Sequence, residues 1–244
     1  MNGLTIFLKK LFRNLYYKFV EGRITIIRKP DILNGFKWIE SKRFGIAYSN
    51  GNYEVDLLAQ LSKFLSPQSV FIDVGGHAGY VALFASQLCE KVVTFEPEQN
   101  NFVFIKRTIE LNSVENIEPY NLALGAKKAK LMFKEGLTSS MGSISELGTT
   151  EVDVISLDEF IRDGNFKRVD VVKIDVEGFG AKVLEGMKYV IKNYKPFILF
   201  EIHNQEEILA IKSLQGYTFI TTNDLPVEWD RLPNQFVIAL PIKK

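Results

Sequence analysis

The segment Val70-Phe-Ile-Asp-Val-Gly-Gly-His-Ala-Gly79 constrains this chain more than any other. A short apolar run carries one acid, Asp73, into a glycine-rich turn. Such a run fits a buried strand of a parallel sheet. The glycines Gly75, Gly76 and Gly79 then let the backbone approach a ligand with no Cβ in the way. A second buried-strand pattern, Lys91-Val-Val-Thr-Phe-Glu-Pro97, ends in the acid Glu96. Strand, glycine turn, helix and acid-tipped strand describe a nucleoside laid across the carboxyl ends of a sheet. Glu96 can accept hydrogen bonds from both ribose hydroxyls.

The turn also narrows which nucleoside. Dinucleotide sites use Gly-x-Gly-x-x-Gly. Aligned on its last two glycines, this chain reads Val74-Gly75-Gly76-His77-Ala78-Gly79, with a valine in the first place. The phosphate-cradling Gly-x-x-x-x-Gly-Lys-[Ser/Thr] is absent. A phosphate-free nucleoside fits better, and S-adenosylmethionine is the common one. Its ammonium suits an acid such as Asp73, and its carboxylate suits free N–H groups of the Gly75–Gly79 turn. His77 sits in the turn and is expected to shape it. Asn121, Leu122 and Ala123, at the end of the third strand, should border the adenine.

Short apolar strands alternate with helical patterns through the rest of the chain. Strand 69–74 precedes helix 78–89, strand 91–96 helix 98–112, and strand 117–122 a long connection. Strand 169–175 precedes helix 180–192, and strand 197–202 helix 205–215. Strands 217–222 and 236–241 should form a closing hairpin. This order means an α/β fold, a mostly parallel sheet with helices on both faces. Residues 1–66 read as an extension, with short strands at 23–28, 36–40 and 44–48 and a helix at 54–65. The core domain then runs from 67 to 244. In the connection, strands 130–134 and 151–155 flank the Gly/Ser/Thr-rich stretch 136–148, which has the character of a lid. Ser156-Leu-Asp-Glu159 reads as a helix cap, so Asp158 is expected to act locally.

Lys and Arg total 30 against 29 acids, which gives no electrostatic case for nucleic acid. Hydrophobic residues make up 46% of 244, enough for a full core. A single cysteine, Cys89, leaves no internal disulfide. There is no apolar run long enough to span a bilayer, and the expected location is cytoplasmic. Residues 4–20 alternate apolar and basic side chains at helical spacing. Such a helix can lie on an anionic membrane or pack on protein.

Taken together, the chain resembles the FkbM-type S-adenosylmethionine-dependent methyltransferases. The matching stretches are Tyr53-Glu54, Phe71–Gly79, Phe95-Glu-Pro97, Asn101-Phe102, Asn121–Gly125, Ser156-Leu-Asp158, Val172–Gly178 and Phe200-Glu-Ile-His203. The resemblance implies a Rossmann-like class I methyltransferase fold with a seven-stranded sheet. It implies O-methylation of a hydroxyl on a sugar, glycan or related metabolite, and adds Glu54 and Pro97 to the cofactor residues. Two departures stand out. Gly75-Gly76-His77 replaces the usual Gly-Ala-Asn, and Gly180 stands where the family tends to have an acid.

Two further strands end in ionisable residues, Lys173-Ile-Asp175-Val-Glu177 and Phe200-Glu201-Ile-His203. Side chains two apart share one side of a strand. Asp175, Glu177, Glu201 and His203 are thus expected to converge at the ligand edge, with Asp175 also beside the cofactor. One reading makes His203 or a carboxylate a general base for the acceptor hydroxyl. Another has the acids hold a divalent cation. A structural reading leaves Glu177 capping the next helix and Lys173 pairing with an acid. A binding module without turnover is the alternative function, and a dehydrogenase, which Val74 opposes, is a third.

Overall fold

The computed structural model describes residues 20–135, 142–231 and 235–242. The chain divides into two compact units, Met1–Tyr53 and Glu54–Lys244. The expected membrane-facing helix at 4–20 lies almost wholly outside the described residues, as does 136–141 of the expected lid. Among the described residues no helix is long and apolar enough to cross a membrane.

In the first unit, β1 (Ile24–Ile26) pairs antiparallel with β2 (Lys37–Ile39). Trp38 is buried and stacks on Tyr48 at 5.1 Å, which stacks in turn on Tyr53 at 4.2 Å. The third expected strand, 44–48, does not form. Its backbone groups are used locally instead: Gly45 N–H bonds Ser41 O, Asn50 N–H bonds Ile46 O and Asn52 N–H bonds Ala47 O.

The second unit opens with α1 (Val55–Phe64), so this helix goes with the core rather than with the extension. Then come β3 (Val70–Val74), α2 (Tyr80–Ala85), β4 (Lys91–Phe95), α3 (Gln99–Asn112) and β5 (Ile117–Tyr120). After an inserted segment follow α4 (Leu157–Asp163), β10 (Val171–Ile174), α5 (Gly180–Glu185), α6 (Lys188–Tyr194), β11 (Phe197–Ile202), α7 (Gln205–Lys212), β12 (Tyr217–Thr221) and β13 (Gln235–Pro241). The seven-stranded sheet has the order β12-β13-β11-β10-β3-β4-β5. Its strands β5, β4, β3, β10 and β11 are parallel, whereas β13 runs antiparallel to both its neighbours. The expected hairpin is present, with its second strand seated between the first and β11.

Every residue of β3 and β10 is buried, which is why both read as apolar runs interrupted only by Asp73 and Lys173. Val70, Ile72, Val74, Val172 and Ile174 join Val93, Phe95, Ile198, Phe200 and Val237 in one core. Removing each such side chain from water contributes about 1.5–3 kcal/mol.

The inserted segment builds a second sheet from β6 (Ala123–Leu124), β7 (Ala129–Lys134), β8 (Ser143–Ile144) and β9 (Thr150–Ile155), in the order β6-β9-β7-β8. Part of the expected lid is therefore strand: β8 pairs with Phe133 and Lys134.

Two helices are shorter than their patterns. The stretch after α2 turns away at Ser86, where the Asn116 amide donates to the carbonyls of Ser86 and Cys89 at 2.9 and 3.0 Å. The expected helix 180–192 is broken at Gly186, and the break has a builder. Asp158 N–H bonds Gly186 O at 2.9 Å, and its carboxylate takes the N–H groups of Tyr189 and Val190 at 2.8 and 3.0 Å. Asp158 therefore opens α6, a structural role as expected but at a helix distant in sequence and not at its own, α4, which Ser156 Oγ caps by accepting Glu159 N–H. Asp158→Ala should lower the unfolding free energy by about 0.5–2 kcal/mol in urea titration, as for other lost helix caps. Unchanged stability would count against this account of the break.

Candidate active site

The sheet register places three polar side chains in a row at the core of the molecule. Asp73 on β3 lies opposite Lys173 on β10 and Thr94 on β4. All three are buried. Thr94 Oγ1 donates to Asp73 Oδ2 at 3.1 Å. Lys173 Nζ lies 3.2 Å from Asp73 Oδ1 and 3.4 Å from Asp175 Oδ2, and it donates to Gly75 O at 2.9 Å. Burial pulls the Lys173 ammonium down, and the two aspartates outweigh it, so its pKa ends above the usual lysine value. Burial raises Asp73. For Asp175 burial also raises, but Lys173 outweighs it and the carboxyl ends below the usual range. Asp73 thus faces Lys173 and Thr94 beneath the turn. The sequence reading had aimed it at the cofactor.

The glycine turn is folded over this row. Gly75 has φ +85°, and a Cβ there would collide with the carbonyl oxygen of Asp175. At Gly76 a Cβ would strike Thr94 Oγ1, and at Gly79, φ +79°, it would press on Ile105. The N–H groups of Gly75 and Gly76 both bond Phe95 O, and Gly79 N–H bonds Gly76 O. These donors are therefore spent inside the protein, and what the turn offers a ligand is close approach. His77, φ +49°, donates its N–H to Glu96 Oε2 at 2.8 Å.

Glu96 is only 5% exposed. Its Oε1 accepts Glu98 N–H at 2.9 Å and the Asn101 amide at 3.3 Å. Burial pushes its carboxyl up to about 7 against these hydrogen bonds. Asn121 braces the same loop by donating to Glu96 O and Pro97 O at 2.9 and 3.0 Å. Leu122 packs against the main core, and Ala123 is buried with Phe133, Val152 and Val154 in the smaller sheet. The side chain of Ala123 therefore serves packing.

The four residues expected to converge do so, by a different route. Strand alternation ends at Ile174, and the chain turns through Glu177 at φ +48° and Gly178 at φ +93°. His203 Nε2 then lies 3.4 Å from Glu201 Oε2 and 3.6 Å from Glu177 Oε2. Burial alone would lower the His203 pKa, but the neighbouring carboxylates of Glu201, Glu207 and Glu177 raise it to about 10. At neutral pH His203 is an imidazolium. A histidine base of ordinary pKa is not what this environment makes. Burial raises Glu177 and pushes Glu201 up to about 7; Glu201 also shares a hydrogen bond with Asp175. Glu54, φ +48° at the start of α1, is raised by burial and by the charge of Asp175, which places it beside the same cluster. One ligand atom each from Asp175, Glu177 and His203 can lie within 4.8 Å of the others, a spacing that suits a divalent cation once the imidazole is deprotonated.

Glu207 was missed. It is fully buried on α7 and accepts His203 N–H at 2.7 Å, Asn204 N–H at 3.2 Å and Gly180 N–H at 2.8 Å. Asn204 bonds Glu207 N–H at 2.9 Å in return and donates from its amide to Gly178 O at 3.0 Å. The Asn-x-x-Glu spacing at 204–207 is a capping-box signature and was legible.

The sequence profile of the methyltransferase FkbM domain matches residues 73–220. This chain belongs to the FkbM methyltransferase domain family. Methyltransferase 1 of Beauveria bassiana is 28% identical over 145 residues, which cover 49% of this chain and 58% of that protein. The hexuronic acid methyltransferase AglP of Haloferax volcanii is 27% identical over 152 residues, covering 62% of each. The chain thus spans somewhat under two thirds of the length of either relative. Among solved structures, an FkbM methyltransferase from Methylobacillus flagellatus superposes with a TM-score of 0.53 at 16% identity, covering 71% of this chain and 44% of that one. A Streptococcus mutans protein in complex with S-adenosylhomocysteine gives 0.50 at 14% identity, covering 76% of this chain and 96% of that one. These likenesses identify the fold as Rossmann-like class I methyltransferase.

Lys173→Met leaves Asp73 and Asp175 without their cation. It should cost about 3–5 kcal/mol of stability in urea titration, as for other broken buried ion pairs; a loss under 1 kcal/mol would show that the aspartates do not depend on it. In NMR titration the His203 imidazole should keep its proton up to about pH 10. Glu207→Gln should lower that midpoint, and an unchanged midpoint would remove Glu207 from the account of His203.

Proposed function

We propose that this chain is an S-adenosylmethionine-dependent O-methyltransferase acting on a hydroxyl of a sugar, glycan or related metabolite. Membership of the family supports methyl transfer, and the hexuronic acid methyltransferase among the relatives supports a sugar acceptor. The observation that carries the reading is the junction at Gly75. There the glycine turn packs directly on the backbone of Asp175, so the cofactor edge and the acid cluster share one rim.

The residues present suit the cofactor. Glu96 tips its strand as a ribose-binding acid does; of about four acceptor sites on its carboxylate three are taken by protein donors, and both hydroxyls fit once the Asn101 amide, the longest contact at 3.3 Å, gives way. Glu54 and Asp175 repel each other, and an ammonium between them would relieve both. In this reading they hold the methionine end, while Asp73 pairs with Lys173 and Thr94. Pro97, Asn121 and Leu122 border the base end. S-adenosylmethionine, when bound, supplies the activated methyl group.

What remains for the chain is alignment and one proton. Alignment of nucleophile and methyl is the larger part. Glu201, with its pKa near neutrality, is placed to take the hydroxyl proton. His203, as imidazolium, balances the carboxylates and orients Glu201. In a second reading, favoured by the spacing of Asp175, Glu177 and His203, these three hold a divalent cation that lowers the hydroxyl pKa. Only in that reading does a chelator abolish activity and magnesium restore it.

Glu201→Gln should lower kcat by about 10²- to 10⁴-fold while S-adenosylhomocysteine affinity stays nearly constant. Wild-type turnover would move the proton transfer elsewhere. Calorimetry tests the cofactor side. Glu96→Ala should weaken S-adenosylhomocysteine by about 2–4 kcal/mol, the loss of two charge-assisted hydrogen bonds. The empty site holds its proton up to about pH 7, and ribose hydroxyls favour the ionised carboxylate. Binding should therefore release a proton near pH 6.5 and tighten as pH rises through about 7. No proton release, or release that survives in Glu96→Gln, would sink the assignment.

A further inference from the structure

Beside the acid cluster, between α7 and the single turn Trp229–Arg231, lies a cavity of about 450 Å³. Small-molecule sites commonly occupy about 300–1,000 Å³. His203 lines this cavity and also belongs to the cluster, so the two adjoin. One wall is apolar. It holds the half-buried Trp229 ring and Leu209, which is 61% exposed although apolar. The ring is a firm platform: it packs on the main core and meets the edge of Phe219 at 5.3 Å and 76°. Ile202 and Ile208 extend the apolar lining, and the polar part includes Gln205 and Lys212 on α7 and Asp230 beside the ring. Lys212 Nζ stands 5.3 Å from the Trp229 ring centre.

We propose that this cavity is the acceptor subsite and that it seats a neutral hexopyranose with its C–H face on Trp229 and Leu209. The inference rests on the sugar-hydroxyl reading above and names where that sugar sits. A pyranose has an apolar C–H face and a rim of hydroxyls, and the cavity offers the complement of both. Gln205 and Lys212 supply donors to ring oxygens, and Asp230 accepts from hydroxyls. Lys212 faces Asp230, and the His203 imidazolium is balanced by Glu201 and Glu177 beside it, so the lining does not ask the sugar for net charge. An exposed cation–π contact is weak, so the ring can displace Lys212 sideways from Trp229 and keep its ammonium as a donor. A hydroxyl at the near end of the ring then meets the side where His203 and Glu201 stand.

The test is saturation-transfer NMR on the full chain with S-adenosylhomocysteine present, using D-glucose, D-mannose and D-galactose, with cyclohexanol and D-glucuronate as comparison probes. At least one hexose should receive saturation, mostly on its C–H protons, and cyclohexanol should receive little. Trp229→Ala should reduce the effect at least tenfold, and Trp229→Phe should restore part of it. Leu209→Asn, an exposed change that leaves the fold intact, should reduce it as well. The proposal is overturned if no hexose is saturated, if cyclohexanol or glucuronate is preferred, or if the signal persists in both Trp229→Ala and Leu209→Asn. Because the readout is binding, it separates two failures. A hexose seated on Trp229 but never methylated retires the O-methylation reading and keeps the subsite. Sugars methylated equally well by wild type and both variants retire the subsite alone.

Discussion

Lys173 is the interaction on which the rest depends. A buried ammonium is costly unless paired, and here two aspartates and a carbonyl oxygen share it. Through Asp73 it joins β10 to β3, through Gly75 O it fixes the glycine turn, and through Asp175 it reaches the ligand edge. Thr94 extends the row to β4. A single cation therefore sets the spacing between the glycine turn and the first acid of the cluster. It also holds the Asp175 carboxyl below its usual range where burial alone would raise it.

Much of this was legible. The parallel strands announced themselves because they are buried on both faces, and the run Val70–Val74 admits nothing polar except the acid its neighbours pair. The convergence of Asp175, Glu177, Glu201 and His203 was legible from their positions at adjacent strand ends. The means was not, because a left-handed Glu177 cannot be read from strand periodicity. The direction of Asp73 was hidden for a related reason. Whether an acid at a strand end faces ligand or lysine depends on cross-strand register, a pairing between residues 100 apart in the chain. The broken helix at Gly186 and the shortened α2 were set by Asp158 and Asn116, side chains remote in sequence that take over helix hydrogen bonds.

The departure at Gly180 finds a physical reason here. A Cβ at that position would press into the Phe200 ring and the Glu207 carboxylate. Glu207, reaching in from α7, bonds the Gly180 N–H directly. An acid is thus present at this point, but it arrives from a different helix. Being fully buried, it also ties the backbone of His203 and Asn204 to the turn after Glu177. The two strand ends that carry the cluster are held together by this one carboxylate.

The placement of β13 has a consequence in time. β11 carries Glu201 and His203, and along one edge it is hydrogen-bonded to β13 from Ile198 opposite Ala239 to Ile202 opposite Gln235. That partner is the last strand of the sheet to leave the ribosome. While the chain is being made, the strand bearing half the acid cluster has an open edge, and domains begin to order from their N-terminal side as they emerge. The glycine turn between β3 and β4 is translated long before. The edge of β11 that carries Glu201 is therefore covered only when β13 takes its place between β11 and β12.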